Sequence, residues 1–228
     1  MNDVTATGLR GEEMGRRLRA ARQARQLTLR ELAQRLRVSP SMISQIETGR
    51  ASPSVSTLYA IANELDVSLD ELLFNDRRPP APPSDDGRTT RAATAEQLLQ
   101  RSDSRRQIRL ASGVVWERLT PTSEPDTEFL YVTYEVGGAS SAEHEFQRHP
   151  GHEWGLVMEG RLEVRIGFDE YVLGPGDSIS FDSTLPHRLA NVGDAPVHAV
   201  WFVLGRTGGG QHADDDLHSS SPVGGGRR

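Results

Sequence analysis

The chain has 228 residues, a formal net charge of −6 and no cysteine, which excludes a disulfide framework, a thiolate zinc site and a cysteine nucleophile. At about 100–200 residues per domain, this length allows one or two domains. The apolar runs are too short to span a bilayer, and the N-terminal residues lack the apolar region of a secretory signal. We therefore expect a cytoplasmic protein without a membrane partner.

The charge is distributed unevenly along the chain. Residues 9–50 contain ten Arg and four Glu, a net charge of +6, whereas residues 51–228 contain sixteen Arg and twenty-seven acidic residues. A basic segment in front of an acidic remainder indicates that only the N-terminal part meets a polyanion. All 26 basic residues are Arg. Because Ala, Gly and Pro are also plentiful, the number of Arg residues is not by itself evidence of function.

Shifts in composition divide the chain into four segments. The first has helical periodicity, the second is rich in Pro, the third contains all three Trp residues, and the last is mostly Gly, Ser and Asp. We predict a helical domain at residues 10–74, a semi-rigid linker at 75–105, a β-domain at 106–205 and a disordered tail at 206–228. The linker includes one short helical stretch, Thr94 to Arg101.

Five short helices are predicted in the first segment, the first of them over about residues 12–25. The other four begin at residues that cap helices well, namely Thr28, Ser39, Ser54 and Ser68. Apolar residues at helical spacing are expected to form the core; they are Met14, Leu18, Ala21, Leu32, Leu36, Leu58, Ile61 and Leu65.

The third helix has two chemically different faces. Ile43 and Ile46 are expected to point into the core, so that hydroxyl side chains and Gln45 point to solvent. A short helix with this outer face fits a major groove, because Gln pairs with adenine and Ser donates to bases or phosphates. Nearby Arg side chains can neutralise phosphates. The predicted DNA contacts are Arg30, Arg37, Ser39, Ser41, Ser44, Gln45, Thr48 and Arg50.

The stretch LTLRELAQRLRVSPSMISQIETGRASPSVSTLYAIANELDVSLDELL, with the helix before it, resembles the XRE family of helix-turn-helix domains, the lambda-repressor and Cro type. The resemblance covers every helix and implies that Ser41 and Gln45 meet bases. Leu29 stands where some phage repressors have Gln, so one common contact is absent. We expect Glu47 to form a structural ion pair with Arg22. The alternative is a helical domain that has lost DNA binding and serves only in packing.

From about residue 108 the sequence alternates between apolar and polar residues with a period of two, as in Ile108-Arg-Leu110 and Leu162-Glu-Val164-Arg-Ile166. Turn signals interrupt the pattern, for example Gly137-Gly138 and Gly174-Pro-Gly-Asp177. Many short strands at this spacing are typical of a β-sandwich or barrel.

Two stretches of this domain, residues 147–160 and 174–191, resemble the paired motifs of the cupins, which implies a double-stranded β-helix barrel. In metal-binding cupins these motifs supply three His and one Glu. The matching positions here are Gln147, His149, Glu153 and His187, so a neutral amide replaces the first imidazole. The resemblance leaves two alternatives open, a divalent metal site or a metal-free pocket in which these groups bind a ligand. Trp154, Phe181 and Trp201 are candidate pocket walls, and for Trp201 we favour a place in the core.

The resulting fold class is multidomain, an all-α five-helix DNA-binding domain followed by an all-β cupin. This architecture resembles that of bacterial transcriptional regulators in which the cupin senses a small molecule or mediates dimerisation. The expected partners are a double-stranded DNA operator, a small-molecule effector and a second copy of the chain, because one recognition helix makes too few contacts for tight binding.

Two other functions remain open. Hydroxypropylphosphonate epoxidase shares the architecture, and its two-His, one-carboxylate iron centre would correspond to His149, Glu153 and His187. In that enzyme a lysine of the helical domain helps to hold the phosphonate, whereas this chain has no lysine. We therefore predict that the chain is not an enzyme. A binding module for a sugar or osmolyte, without DNA, would leave residues 10–74 unexplained.

Overall fold

The computed structural model describes residues 3–74, 98–124 and 126–205. Within these residues, five α-helices precede nine β-strands, which confirms the expected fold class. The helices are α1 (Asp3–Ala24), α2 (Leu29–Arg35), α3 (Pro40–Glu47), α4 (Val55–Leu65) and α5 (Leu69–Leu73). The strands are β1 (Gln107–Leu110), β2 (Val114–Arg118), β3 (Thr127–Tyr134), β4 (His152–Glu159), β5 (Leu162–Ile166), β6 (Asp169–Leu173), β7 (Ser178–Asp182), β8 (His187–Asn191) and β9 (Val197–Leu204).

The structure extends some of the expected elements and leaves others untested. Helix α1 begins at Asp3, well before the predicted start. Most of the predicted linker, residues 94–97 of its short helix and the tail after residue 205 lie outside the described residues, and the domain boundaries stay a prediction. No described helix is both long enough and apolar enough to cross a membrane.

Side-chain caps set where the helices begin. The Thr28 hydroxyl accepts from the backbone N–H of Glu31 at 3.2 Å, and the Glu31 carboxylate accepts from the N–H of Thr28 at 2.7 Å. Ser39 and Ser54 cap α3 and α4 in the same way, each accepting a backbone N–H at 3.1 Å. These bonds satisfy N–H groups that have no partner within their own helix.

The apolar faces of the helices meet in one core. Leu32, Ile43 and Ile61 are fully buried there, whereas Ala21 and Leu36 are only partly buried. Helix α1 crosses close to the end of α3 at Gly15, where a Cβ atom would lie 2.5 Å from the carbonyl oxygens of Ile46 and Glu47. Glycine therefore permits the close approach of these two helices.

The strands form two antiparallel sheets, with strand order β1-β2-β3-β9-β4-β7 in one and β6-β5-β8 in the other. Strand β9 shows how the sheets are packed, because Val197, Ala199, Trp201 and Val203 are buried while the residues between them are more exposed. The period-two pattern thus gives β9 an inner, core-facing side and an outer side. The inner side faces the candidate site.

Candidate functional site

Helix α3 presents a polar face to solvent. Ile43 and Ile46 are buried in the helical core, whereas Ser41, Gln45 and Thr48 are exposed and Ser44 is half-buried. The Thr48 hydroxyl donates to the carbonyl oxygen of Ser44 at 2.9 Å. Within the described chain, the side-chain polar groups of Ser41 and Gln45 have no such hydrogen bond. They are therefore the groups of this face best placed to contact another molecule.

Three exposed arginines lie before and after α3 in the chain. Arg30, Arg37 and Arg50 are exposed and have no ion-pair partner among the described residues. Other arginines of the domain are paired, for instance Arg35 with Glu64 at 2.6 Å. Unpaired guanidinium groups beside a polar helix face suit contacts to phosphates, which position a protein on a duplex.

Arg22 of α1 and Glu47 of α3 lie together on the inner side of the same domain. Arg22 Nε donates to Glu47 Oε1 at 2.6 Å and its Nη2 donates to Oε2 at 2.9 Å, so the contact is bidentate. Both residues are buried. The hydrogen bonds from Arg22 to Glu47 outweigh desolvation and raise the guanidinium pKa. This geometry gives the pair a packing position rather than one that faces solvent.

A second cluster lies inside the β-domain. Glu153, near the start of β4, is 2.8 Å through its Oε1 from His149 Nε2 and 3.2 Å from His187 Nε2. Ligand atoms of these three side chains all lie within 4.8 Å of one another. Gln147 pairs with His187 across an isolated antiparallel bridge, and its side chain is also buried. The structure therefore gathers the two histidines and Glu153, with Gln147 beside them.

Backbone carbonyls fix the orientation of both imidazoles. His149 Nδ1 lies 3.0 Å from the carbonyl oxygen of Pro150, and His187 Nδ1 lies 2.8 Å from that of Leu185. Because a carbonyl can only accept, each Nδ1 carries a proton and donates it. In the neutral imidazoles Nε2 then has a free electron pair, and it is Nε2 that faces Glu153.

The donor atoms are close to one another but are not aligned as hydrogen bonds. His149 Nε2, His187 Nε2 and Glu153 Oε1 have no hydrogen-bond partner of good geometry among the described residues, and neither does Gln147 Oε1. Buried polar atoms in proteins normally have a partner. Two imidazole nitrogens with one carboxylate oxygen are the donors that Zn²⁺ and non-haem Fe²⁺ take. The donor set therefore fits a divalent cation.

Burial raises the pKa of the Glu153 carboxyl group, whereas the two adjacent imidazoles, in their positively charged form, lower this pKa well below its usual value. Trp201 Nε1 donates to Glu153 Oε2 at 2.5 Å. Burial and the nearby charge of Glu153 raise the pKa of Tyr134 above its usual value, so the phenol stays neutral.

The structure corrects two expectations about the pocket walls. Trp154 follows Glu153 on β4, so it points to the outer side of the sheet, where it is 41% exposed and contacts His152. Trp201 does more than fill the core, because its indole holds Glu153. Phe181 does line the cluster, with its ring centroid 5.0 Å from that of His187.

Gly155 is the reason that Trp201 can reach Glu153. The two residues are directly opposite in the β4–β9 register, and a Cβ atom at position 155 would lie 2.1 Å from the indole ring. The absence of a side chain at position 155 leaves room for the indole ring beside β4.

One residue near the cluster had not been expected there, Tyr59 of α4. Its ring stacks on the imidazole of His149, with centroids 4.0 Å apart and planes 5° apart. The sequence does contain a signal for it. Tyr59 lies about 100° around the helix from the neighbouring core residue Leu58, so it projects out of the helical core.

Comparison with known proteins gives the same two domains. A helix-turn-helix family model matches residues 18–72, and a cupin domain model matches residues 125–203. The HTH-type transcriptional regulator PuuR of Escherichia coli (strain K12) is 27% identical over 179 residues, which cover 78% of this chain and 86% of that protein.

Two solved structures are similar over most of the chain. The HTH_3 family transcriptional regulator from Vibrio cholerae superposes with a TM-score of 0.60 at 22% identity, covering 87% of this chain and 98% of that one. Hydroxypropylphosphonic acid epoxidase from S. wedmorenis has the same identity and covers 87% of this chain and 100% of its own, with a TM-score of 0.42. The first likeness shows the fold, and the second is too low to carry an argument.

Proposed function

We propose that α3 reads a DNA operator and that the His149–Glu153–His187 cluster binds an effector. The chain is a transcriptional regulator with an XRE-type helix-turn-helix domain and a cupin domain. The observation that carries the DNA part is the exposed polar face of α3, with Ser41 and Gln45 available and unpaired arginines before and after it in the chain. Gln45 contacts a base edge, and Arg30, Arg37 and Arg50 contact phosphates.

The regulator acts as a homodimer, in which two copies of α3 meet two half-sites about one helical turn apart. The outer side of the larger sheet supplies a surface for the second copy. Phe129 on β3, Phe202 on β9, and Trp154 and Leu156 on β4 project from three adjacent strands, and Phe129, Trp154 and Leu156 are 37–43% exposed. The outer side of an antiparallel sheet is normally polar, so contiguous apolar side chains support burial against a partner.

In the cluster, His149, Glu153 and His187 would hold a divalent cation, with the Gln147 amide oxygen as a fourth, neutral donor. The cation would supply a Lewis-acid centre to which a small polar effector could bind. Without a cation, the two imidazoles and Glu153 would form hydrogen bonds to the effector. We propose binding rather than catalysis, because the helical domain has an available DNA-contacting face and no lysine to hold a phosphonate.

The DNA part is tested by selection from a random duplex pool with the full-length protein. We expect enrichment of an inverted repeat with half-site centres about 10 base pairs apart. A selected pool that is indistinguishable from the starting pool would contradict the proposal.

The metal part is tested by titrating chelator-treated protein with Co²⁺ or Zn²⁺. We expect one ion per chain and a higher melting temperature, since a ligand of the native state stabilises it. His187→Ala should lose both effects. The matched control is His198→Ala, since His198 on β9 contacts Thr133 and Tyr131 away from the cluster. Fe²⁺-dependent turnover of a phosphonate would instead favour the enzyme.

A further inference from the structure

The His149–Glu153–His187 cluster is sealed from solvent, and a residue of the helical domain forms part of the seal. The side chains of both histidines are 0% exposed and that of Glu153 is 2% exposed. His149 points its Nε2 atom at Glu153, and the ring of Tyr59 in α4 stacks on the face of the His149 imidazole. Tyr59 also meets Trp116 of β2 edge-on at 5.8 Å and is itself buried. The ring is therefore held between the two domains.

Two backbone hydrogen bonds join the first turn of α4 and the loop before it to the β-domain. The N–H of Ser56 donates to the carbonyl oxygen of Ser140 at 3.0 Å, and the N–H of Ala111 donates to that of Pro53 at 3.0 Å. Ser56 is in the first turn of α4, two residues after the cap Ser54. An amide at that position has no acceptor within its helix, so its partner here is the β-domain.

The helix that carries Tyr59 belongs to the DNA-binding domain. Leu58 and Ile61 of α4 are buried in the helical core. Pro53 lies in the short loop between α3 and α4, only six residues after the end of the proposed recognition helix. One continuous stretch of chain, from the end of α3 to Tyr59, thus connects the proposed DNA-contacting surface to the cluster.

From this arrangement we propose that Tyr59 is the gate of the cluster. A molecule that reaches the face of His149 has to displace the Tyr59 ring, and displacement loosens the attachment of α4 to the β-domain at Ser56 and Ala111. Ligand binding and domain docking are then coupled, because the ligand binds the docked and undocked arrangements differently. This inference rests on the proposed function of the cluster as a ligand site, and it assigns to Tyr59 the position through which occupancy is sensed.

The test uses the full-length chain, with Co²⁺ as the probe and two measurements. The first is amide hydrogen exchange at Ser56 and Ala111, which reports docking. The second is the rate of Co²⁺ uptake, which reports access to the cluster. Tyr59→Ala should speed both by at least about fivefold, the factor that corresponds to the ~1 kcal/mol of one aromatic contact. Tyr59→Phe keeps the ring that stacks on His149, so both rates should be slower in this variant than in Tyr59→Ala.

Two further variants keep the test decisive. Tyr171→Ala removes a tyrosine that is 47% exposed on β6 and should change neither measurement. His149→Ala removes the stacking partner from the other side without altering α4, and it should also speed exchange at Ser56 and Ala111. If Tyr59→Ala disturbs the helical domain itself, this second variant decides the matter.

Different results would contradict the proposed role of Tyr59 and the proposed metal site. Unchanged amide exchange in both Tyr59→Ala and His149→Ala would overturn the gate, even if Co²⁺ binds. Faster Co²⁺ uptake with unchanged exchange would also overturn it, because the ring would then move without release of α4. A wild-type chain that takes up no Co²⁺ would contradict the proposed metal site, while the exchange comparison would still decide the role of Tyr59.

Discussion

At the scale of single residues, the cluster is organised by groups that do not belong to the donor set. The carbonyls of Pro150 and Leu185 fix the imidazoles, and the Trp201 indole holds the second oxygen of Glu153. Such outer partners orient the ligands of a metal ion and tune their basicity. Their removal leaves every donor in place and still weakens the site.

Trp201→Phe should therefore lower Co²⁺ affinity by about 10–100-fold, the usual cost of losing an outer hydrogen bond to a metal ligand. The substitution keeps an aromatic ring against Gly155 but removes the N–H. Isothermal titration gives the affinity. Trp154→Phe, on the outer side of the same pair of strands, is the control and should bind Co²⁺ as the wild type does. Equal affinities in both variants would show that the indole does not support Glu153.

The Arg22–Glu47 pair allows a second prediction at this scale. Arg22→Ala leaves a buried carboxylate without its cation, which should lower the free energy of unfolding of the helical domain by about 3–5 kcal/mol. Urea denaturation measures the change. Replacing both residues, as in Arg22→Met with Glu47→Leu, should restore most of the loss, because no buried charge then remains unpaired. Wild-type stability in Arg22→Ala, together with lost DNA binding, would instead place Arg22 at the DNA.

At the scale of secondary-structure elements, the proposed function assigns base reading to α3 and phosphate contact to arginines before and after it in the chain. Gln45→Ala should relax specificity at one base position and cost about 1–3 kcal/mol on the selected site. Arg50→Ala should weaken all duplexes alike and lower the salt dependence by about one counterion. Competition binding at several salt concentrations distinguishes the two patterns. Unchanged operator preference in Gln45→Ala would mean that another face of the domain reads DNA.

Sequence patterns predicted the starts of most helices correctly but assigned Trp154 to the wrong side of its strand. Capping residues and helical spacing predicted where α2 to α5 begin, because both act within a few residues of chain. Alternation predicted strands but left Trp154 on the wrong side. A period of two defines two faces without saying which one is inner, and that choice depends on the pairing of β4 with β7 and β9.

At the scale of the whole molecule, the order of the two domains followed from motifs that each lie within one domain. The stacking of Tyr59 on His149 did not, since it joins residues 90 positions apart and depends on how one finished domain packs on another. The sequence placed the four cupin positions but not the helix that packs on His149. Helical spacing places Tyr59 outside the helical core without identifying the ring on which it packs.

The apolar outer side of the larger sheet gives a prediction for the assembled protein. Phe202→Glu should convert the proposed dimer to a monomer, because the substitution would bury a charge between two apolar surfaces. Phe168→Glu is the matched control, since Phe168 is fully exposed in the turn between β5 and β6. Light scattering after gel filtration gives the mass. A dimer that persists in Phe202→Glu would place the interface elsewhere.

The contact between Gly155 and Trp201 also restricts how this protein can change over generations. Any larger residue at position 155 would place its Cβ atom only 2.1 Å from the Trp201 indole and overlap it. A smaller residue at position 201 would leave a void and remove the hydrogen bond to Glu153. Each single substitution is thus disfavoured, although a paired exchange of volume between the two positions could fit. Mutational paths that reshape this wall must pass through a variant of low stability, so changes in the shape of the site are directed to other positions of the barrel.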